Sequence, residues 1–330
     1  MFRIPQKSGA CERPLTASDY RYRDLIRVGA VETEFDWNSG HNTEIESKIK
    51  LSRKDQGDTL ACVGESWSLV GEYLNFLETA TQNEMSAKWI YGQIALAGGG
   101  AYITSGAELA IKVGFALEKS VPSYENGNPP SEMFMIRKVD ITEMILREAR
   151  NYQAFSYFYV DAYNIDEMAL AIKNHGLVVF GVYGSNSGWQ NGDVTPPAWG
   201  GWGHAIVGKG AVKRMNKKAI KFQNSWGKNW GFNGDGYINE DYFNKKQTFN
   251  AMVLVDKRNT MAAFIKLVKE QGKSTVYILD LEGYYHAIQF EPFALSLLGK
   301  TWDDVPVETV ASIPQDKIGH QIGFIAIKGH

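Results

Sequence analysis

Three residues able to support nucleophilic chemistry sit at the edges of well-formed patterns in this sequence. Cys62 closes the run Gln56-Gly57-Asp58-Thr59-Leu60-Ala61-Cys62. Behind it Val63, Trp67, Val70, Leu74 and Leu77 step by four and three residues, which predicts a helix from Val63 to about Ala80 with one buried face. Cys62 then falls in the first turn, where unpaired backbone N–H groups and the positive end of the macrodipole favour a thiolate over a thiol. A buried structural cysteine fits that local pattern equally well. His204 opens the apolar run of Trp202-Gly203-His204-Ala205-Ile206-Val207-Gly208, behind a loop rich in Gly, Trp and Pro. Asn224 follows the strand-like run Ala219 to Phe222 and begins Asn224-Ser225-Trp226-Gly227-Lys228-Asn229-Trp230-Gly231.

The order Cys, His, Asn, with the last two roughly 140 to 160 residues after the first, breaks the tie: it resembles the papain-like cysteine peptidases. The Asn-Ser-Trp-Gly-x-x-Trp-Gly run, with Asn233-Gly234 behind it, is a long match, and Gln56, six residues before Cys62, matches the family's oxyanion-hole glutamine in spacing. The resemblance covers roughly residues 34 to 255. It implies an α+β fold of two lobes, one helical and one β-barrel-like, with the site between them and no metal or organic cofactor. It also implies roles. A free thiol of pKa about 8.5 is only a few per cent ionised at neutral pH, so His204 would draw off its proton, then protonate the leaving amine and activate water. Asn224 would orient the imidazole under the cover of Trp226. Gln56 and the Cys62 N–H would face the developing oxyanion, where losing one donor typically costs about 3 kcal/mol. Gly99, Gly100, Gly203 and Trp226 complete the expected substrate-binding set. The chain departs from the family at Leu60-Ala61, where Gly-Ser is usual, and at Val63-Gly64-Glu65, where Trp-Ala-Phe is usual. Glu65 is expected to point away from Cys62 toward the interlobe surface; Gly64 and Gly71, costly inside a helix, imply close neighbours.

The remaining elements must position these groups. Ser86 to Leu96 reads as a helix closed by Gly98-Gly99-Gly100, and Ser105-Gly106-Ala107-Glu108 as a capping box opening a helix to about Glu118. Asp140 to about Arg150 is a further short helix. From Phe155 strands take over: Phe155 to Val160, then a helix capped by Asn164 and ended by Gly176, then Leu177 to Val182. The long loop from Gly184 to Gly203, with Trp189, Trp199 and Trp202, either walls the cleft or forms a packing cluster.

Composition bounds the rest. The 330 residues are 44% hydrophobic and 22% charged, ordinary for a globular protein with a real core. With 35 basic and 37 acidic side chains the net charge is −2, which gives no argument for nucleic acid or an anionic membrane. No apolar run spans a membrane, and no secretory signal opens the chain. Cys11 and Cys62 are the two cysteines. A disulfide between them would block the nucleophile; unpaired thiols are the expectation, as in a reducing compartment. Three regions follow: an N-terminal arm over 1–33 that wraps the domain, the peptidase-like domain over 34–256, marked at its start by Asp36-Trp37, and a small α+β domain over 257–330. In the last, a helix from Thr260 to Val268, a strand pair over Thr275 to Leu281 and Tyr284 to Phe290, a helix from Pro292 to Leu298 and a strand from Ile322 to Ile327 are expected. It looks like an accessory module of bacterial and phage cell-surface proteins, which implies a cell-wall or virion partner. The expected function is hydrolysis of peptide or protein substrates in the cytoplasm or a virion. The rival readings are a wall-directed amidase and a structural virion protein on the same scaffold; four intact site residues argue against a silent site.

Overall fold

The computed structural model describes residues 9–15, 21–23, 32–124, 130–137, 141–154, 156–255, 266–272, 276–279, 285–288 and 307–314. Its helical half is built around the helix that Cys62 begins. After a short α1, Thr43–Ser47, helix α2 runs Cys62–Thr79 and is buried at every position from Cys62 to Asn75. A helix covered on all sides needs small residues where neighbours cross. A Cβ on Gly64 would fall 2.7 Å from the Ala87 carbonyl oxygen, and one on Gly71 2.8 Å from the Phe115 ring. That close approach offsets the roughly 1 kcal/mol each glycine costs. Helix α3, Ala87–Ile94, packs there and is capped by Ser86, whose Oγ accepts the Trp89 N–H at 2.9 Å. Helices α4, Ile103–Lys112, α5, Glu132–Ile136, and α6, Glu143–Arg150, complete this half.

Helix α4 corrects the capping-box expectation. It starts three residues earlier, at Ile103, because the two-residue strand β3, Ala101–Tyr102, feeds straight into it and the Trp67 indole N–H donates to the Ile103 carbonyl at 2.9 Å. Ser105 lies inside the helix, and α4 stops at Lys112 because Val113 and Gly114, the latter at φ +95°, both return their N–H groups to the Leu109 carbonyl.

The other half is an eight-stranded sheet. Its path runs β4 (Ser156–Val160), β10 (Thr248–Val255), β5 (Val178–Gly184), β7 (Trp202–Arg214), β8 (Lys217–Gln223), β9 (Asp235–Asn239), β6 (Asp193–Val194), with β2 (His41–Asn42) paired to β7. Side chains alternate across it with the strand period of two. Val179, Ala205, Val207, Met252 and Leu254 join the core around α2, while Val178, Phe180, Ile206, Ala251 and Val253 join a second core. Helix α7, Ile165–His175, covers that second face; Asn164 caps it and Gly176, at φ +84°, ends it as expected. The short α8, Glu240–Asn244, follows β9. Trp189 settles the long-loop question toward packing: it is fully buried against Trp202, Phe222, Trp226 and Trp230, whereas Trp199 stands 94% exposed.

Beyond residue 265 the described backbone forms a separate four-stranded sheet of β11 (Lys266–Glu270), β12 (Val276–Leu279), β13 (Tyr285–Ile288) and β14 (Val307–Val310), in the order β13-β12-β11-β14. The expected strand pair is β12 and β13. Residues 266–268, expected in a helix, are strand, because β11 lies between β12 and β14 and is paired on both edges. The expected helix over 292–298 and strand over 322–327 lie outside the described residues. No helix among the described residues is long and apolar enough to cross a membrane.

Candidate active site

Cys62 sits where expected, in the first turn of α2, and its environment corrects one expectation. The thiol is 0% exposed, and burial pushes its pKa up to about 11, although the backbone N–H groups of Ala205, Gly9 and Val63 pull the other way. The field at the helix start favours the thiolate, but here removal from water outweighs it. Cys62 and Cys11 are both free thiols.

Strand β7, which carries His204, packs against α2, and its next residue, Ala205, shares the buried core of Cys62. His204 Nε2 lies 2.8 Å from Asn224 Oδ1, an oxygen that also accepts the Ser225 N–H at 2.8 Å. An amide oxygen only accepts, so Nε2 carries the proton and Nδ1 is left with its lone pair. Nδ1 is buried and has no hydrogen-bond partner. Burial lowers the imidazole pKa to about 4, with the Asn224 bond opposing the shift. Asn224 is held by its own N–H, which donates to the Gly234 carbonyl at 2.9 Å across the turn made by Asn233, at φ +56°, and Gly234, at φ +84°. This turn explains why Asn-Gly follows the asparagine motif. The Trp226 ring lies over the imidazole at 4.9 Å, tilted by 33°.

Gln56 is fully buried beside this group, tied to Ser225 twice: its N–H donates to the Ser225 carbonyl at 2.8 Å and its Oε1 accepts the Ser225 hydroxyl at 2.6 Å. One of its amide N–H bonds is already given to the Thr59 carbonyl at 2.6 Å. Two residues absent from the sequence reading support the same corner. Glu132 accepts the Leu60 N–H at 2.6 Å and the Tyr91 hydroxyl at 2.8 Å, and Tyr91 in turn accepts the Gly100 N–H at 2.7 Å. Neither lies in a recognisable motif, so no sequence signal marked them.

The groove beside Cys62 is filled by the chain's own N-terminal segment. Strand β1, Ala10–Cys11, pairs parallel with β3, and the Ala101 N–H donates to the Gly9 carbonyl at 2.7 Å. Gly100 and Gly203 flank this segment at a distance only glycine permits. A Cβ on Gly100 would fall 2.6 Å from the Gly9 oxygen, and one on Gly203 2.3 Å from the Ala10 oxygen. Gly99 differs from expectation: it faces the Leu60 side chain, not the segment. The expectation of a wrapping arm is refined accordingly, because residues 9–13 run through the groove.

The structure of Xylellain, a cysteine protease from Xylella fastidiosa, superposes with a TM-score of 0.61 at 19% identity, over 78% of this chain and 98% of the other. The fold is papain-like. Procathepsin B S9 from Trypanosoma congolense aligns with a TM-score of 0.58 at 14% identity, over 75% of this chain and 85% of its own. Bromelain from Ananas comosus, solved with the E64 inhibitor, gives 0.54 at 18%, over 66% and 98%. No family model and no curated protein matches the sequence. The comparisons give no support to the accessory-module resemblance of residues 257–330.

Proposed function

We propose that the chain is a cysteine peptidase held in a covered state, with Cys62 as nucleophile, His204 as general base and acid, and Asn224 as the residue that orients the imidazole. One observation carries this reading: His204 is bound through Nε2 to Asn224 at 2.8 Å, which leaves a buried, unpaired Nδ1 on the strand that packs against the helix Cys62 begins. A base held by one nitrogen with the other free is the arrangement that activates a thiol. In the mechanism His204 Nδ1 takes the thiol proton, the thiolate attacks the peptide carbonyl, and the imidazolium protonates the leaving amine. Water then hydrolyses the thioester with His204 again as base. The Cys62 N–H and the remaining N–H of the Gln56 amide are the donors assigned to the oxyanion. With the arm in place both Cys62 and His204 are neutral near pH 7, so the pair is at rest until water or substrate replaces residues 9–13.

The test is hydrolysis of a diverse peptide library, with purified cell wall assayed beside it. Turnover of peptides should vanish in Cys62→Ala and persist in Cys11→Ser. With the arm displaced by Gly9→Val, whose side chain the Leu60 carbonyl leaves no room for, His204→Ala should slow alkylation of Cys62 between pH 5 and 8, because the thiol loses its base. Activity that survives Cys62→Ala, or alkylation unaffected by His204→Ala, would remove these roles.

A further inference from the structure

The arm is gripped at its far end by a side chain that no motif singled out. Asn250 lies on β10 at a register shift between Phe249 and Met252, is buried, and adopts a φ of +41°. Its Oδ1 accepts the Arg13 N–H at 2.7 Å, and its Nδ2 donates to the Arg13 carbonyl at 2.7 Å. The amide thus reads both backbone groups of one extended residue and none of its side chain. Arg13 stands four residues beyond Gly9, which lies against the Leu60 carbonyl two residues before Cys62, a separation of about 13 Å in an extended chain. Side-chain contacts of the arm are separate from this grip: the Tyr183 hydroxyl donates to Glu12 at 2.6 Å, and the Arg13 guanidinium bonds the Tyr159 hydroxyl.

We infer that Asn250 is a backbone clamp for any extended peptide in the groove and positions a substrate four residues from the one that lies at Cys62. The N–H and C=O of a residue in an extended chain point to the same side, so an amide facing them satisfies both. Turning that amide by 180° exchanges its donor and acceptor, so the clamp serves a chain of either direction. The backbone strain at Asn250 persists because the side chain is held there. A substrate therefore gains from being long on one side of the bond cut, whatever its side chains. This inference rests on the peptidase reading above for its kinetic test, and on binding alone for its second.

The experiment uses the full chain, unaltered and with Gly9→Val to displace the arm, and two peptide series lengthened from two to six residues before or after the cleaved bond. One series should gain about tenfold in kcat/KM, the amount two backbone hydrogen bonds of ordinary net strength supply, and the gain should lie in KM. Asn250→Gly, which accepts the same φ, should erase that gain and bring the ratio of long to short peptides to about one. A purely structural role would lower both lengths together, and that outcome, or no length dependence in either series, overturns the clamp. Should Gly9→Val not fold, the basal rates of the unaltered chain give the same ratio. If no peptide is cut at all, the peptidase reading falls instead. Anisotropy of the longest labelled peptide then decides the clamp: about tenfold weaker binding with Asn250→Gly upholds it, and equal binding overturns it.

Discussion

Replacing Gly9 with valine should raise the rate at which iodoacetamide alkylates Cys62 at pH 7 by about 300-fold. A Cβ at position 9 would fall 2.0 Å from the Leu60 carbonyl oxygen, a backbone atom fixed by the start of α2, so the arm and not the helix must give way. While the arm is seated the thiol pKa stands at about 11, and about one molecule in ten thousand is thiolate at pH 7. Admitting water removes the burial that causes this shift, and a thiol at its ordinary pKa of about 8.5 is ionised to a few per cent. The ratio is the expected gain, and His204 beside an exposed thiolate would increase it further. Mass spectrometry of the labelled peptides separates Cys62 from Cys11. An unchanged Cys62 rate in a folded Gly9→Val protein would mean that the arm is not what keeps the thiol protonated.

Glu65→Gln should make the protein more stable by up to about 5 kcal/mol at pH 8 and above, with little change below pH 4.5. Glu65 occupies the first turn of α2 and is buried, not turned to the interlobe surface as expected, and neither carboxylate oxygen has a hydrogen-bond partner. Burial raises its pKa to about 8; the Lys54 charge lowers it, while Glu118, Asp55 and Glu84 raise it. Lys54 cannot rescue it, because that ammonium is already committed to Glu72 at 2.6 Å and to Glu84 at 3.4 Å. Between pH 4.5 and 8 the unfolded chain has lost this proton and the folded chain keeps it, so stability falls as pH rises, by about 1.4 kcal/mol per unit. Above pH 8 the loss is complete. Urea unfolding of both proteins from pH 4 to 9 measures the difference; parallel curves would show that Glu65 does not hold a proton in the folded state.

Much of the site was legible because its residues terminate regular elements. Cys62 heads a helix with a clear apolar period, His204 lies at the start of a strand, and Asn224 follows one and precedes a turn that needs Asn-Gly. What escaped was held by backbone. Residues 9–13 dock through Gly9 and Arg13 main-chain groups, which leave no period and no compositional mark. Asn250 acts across 237 residues, and nothing near it in sequence hints at Arg13. The start of α4 was misread because a serine and a glutamate at capping spacing outweighed the strand at Ala101–Tyr102, whose pairing depends on the distant arm. Glu65 was misread because a carboxylate on a helix is normally solvated, and only the tertiary structure surrounds this one with other acids.

Strand β10 has a consequence for the order in which this chain is made. It is the latest of the strands in the eight-stranded sheet to be synthesised, yet it is inserted between the earlier strands β4 and β5 and pairs with both. Until it leaves the ribosome, β5 lacks one neighbour and β7, which carries His204, stands on an unfinished sheet. The same eight residues bring Asn250, which shuts the groove over Arg13. Assembly and closure of the site are thereby fused into one event, so a nascent chain passes through no stage in which a completed, open thiol centre faces its translating neighbours.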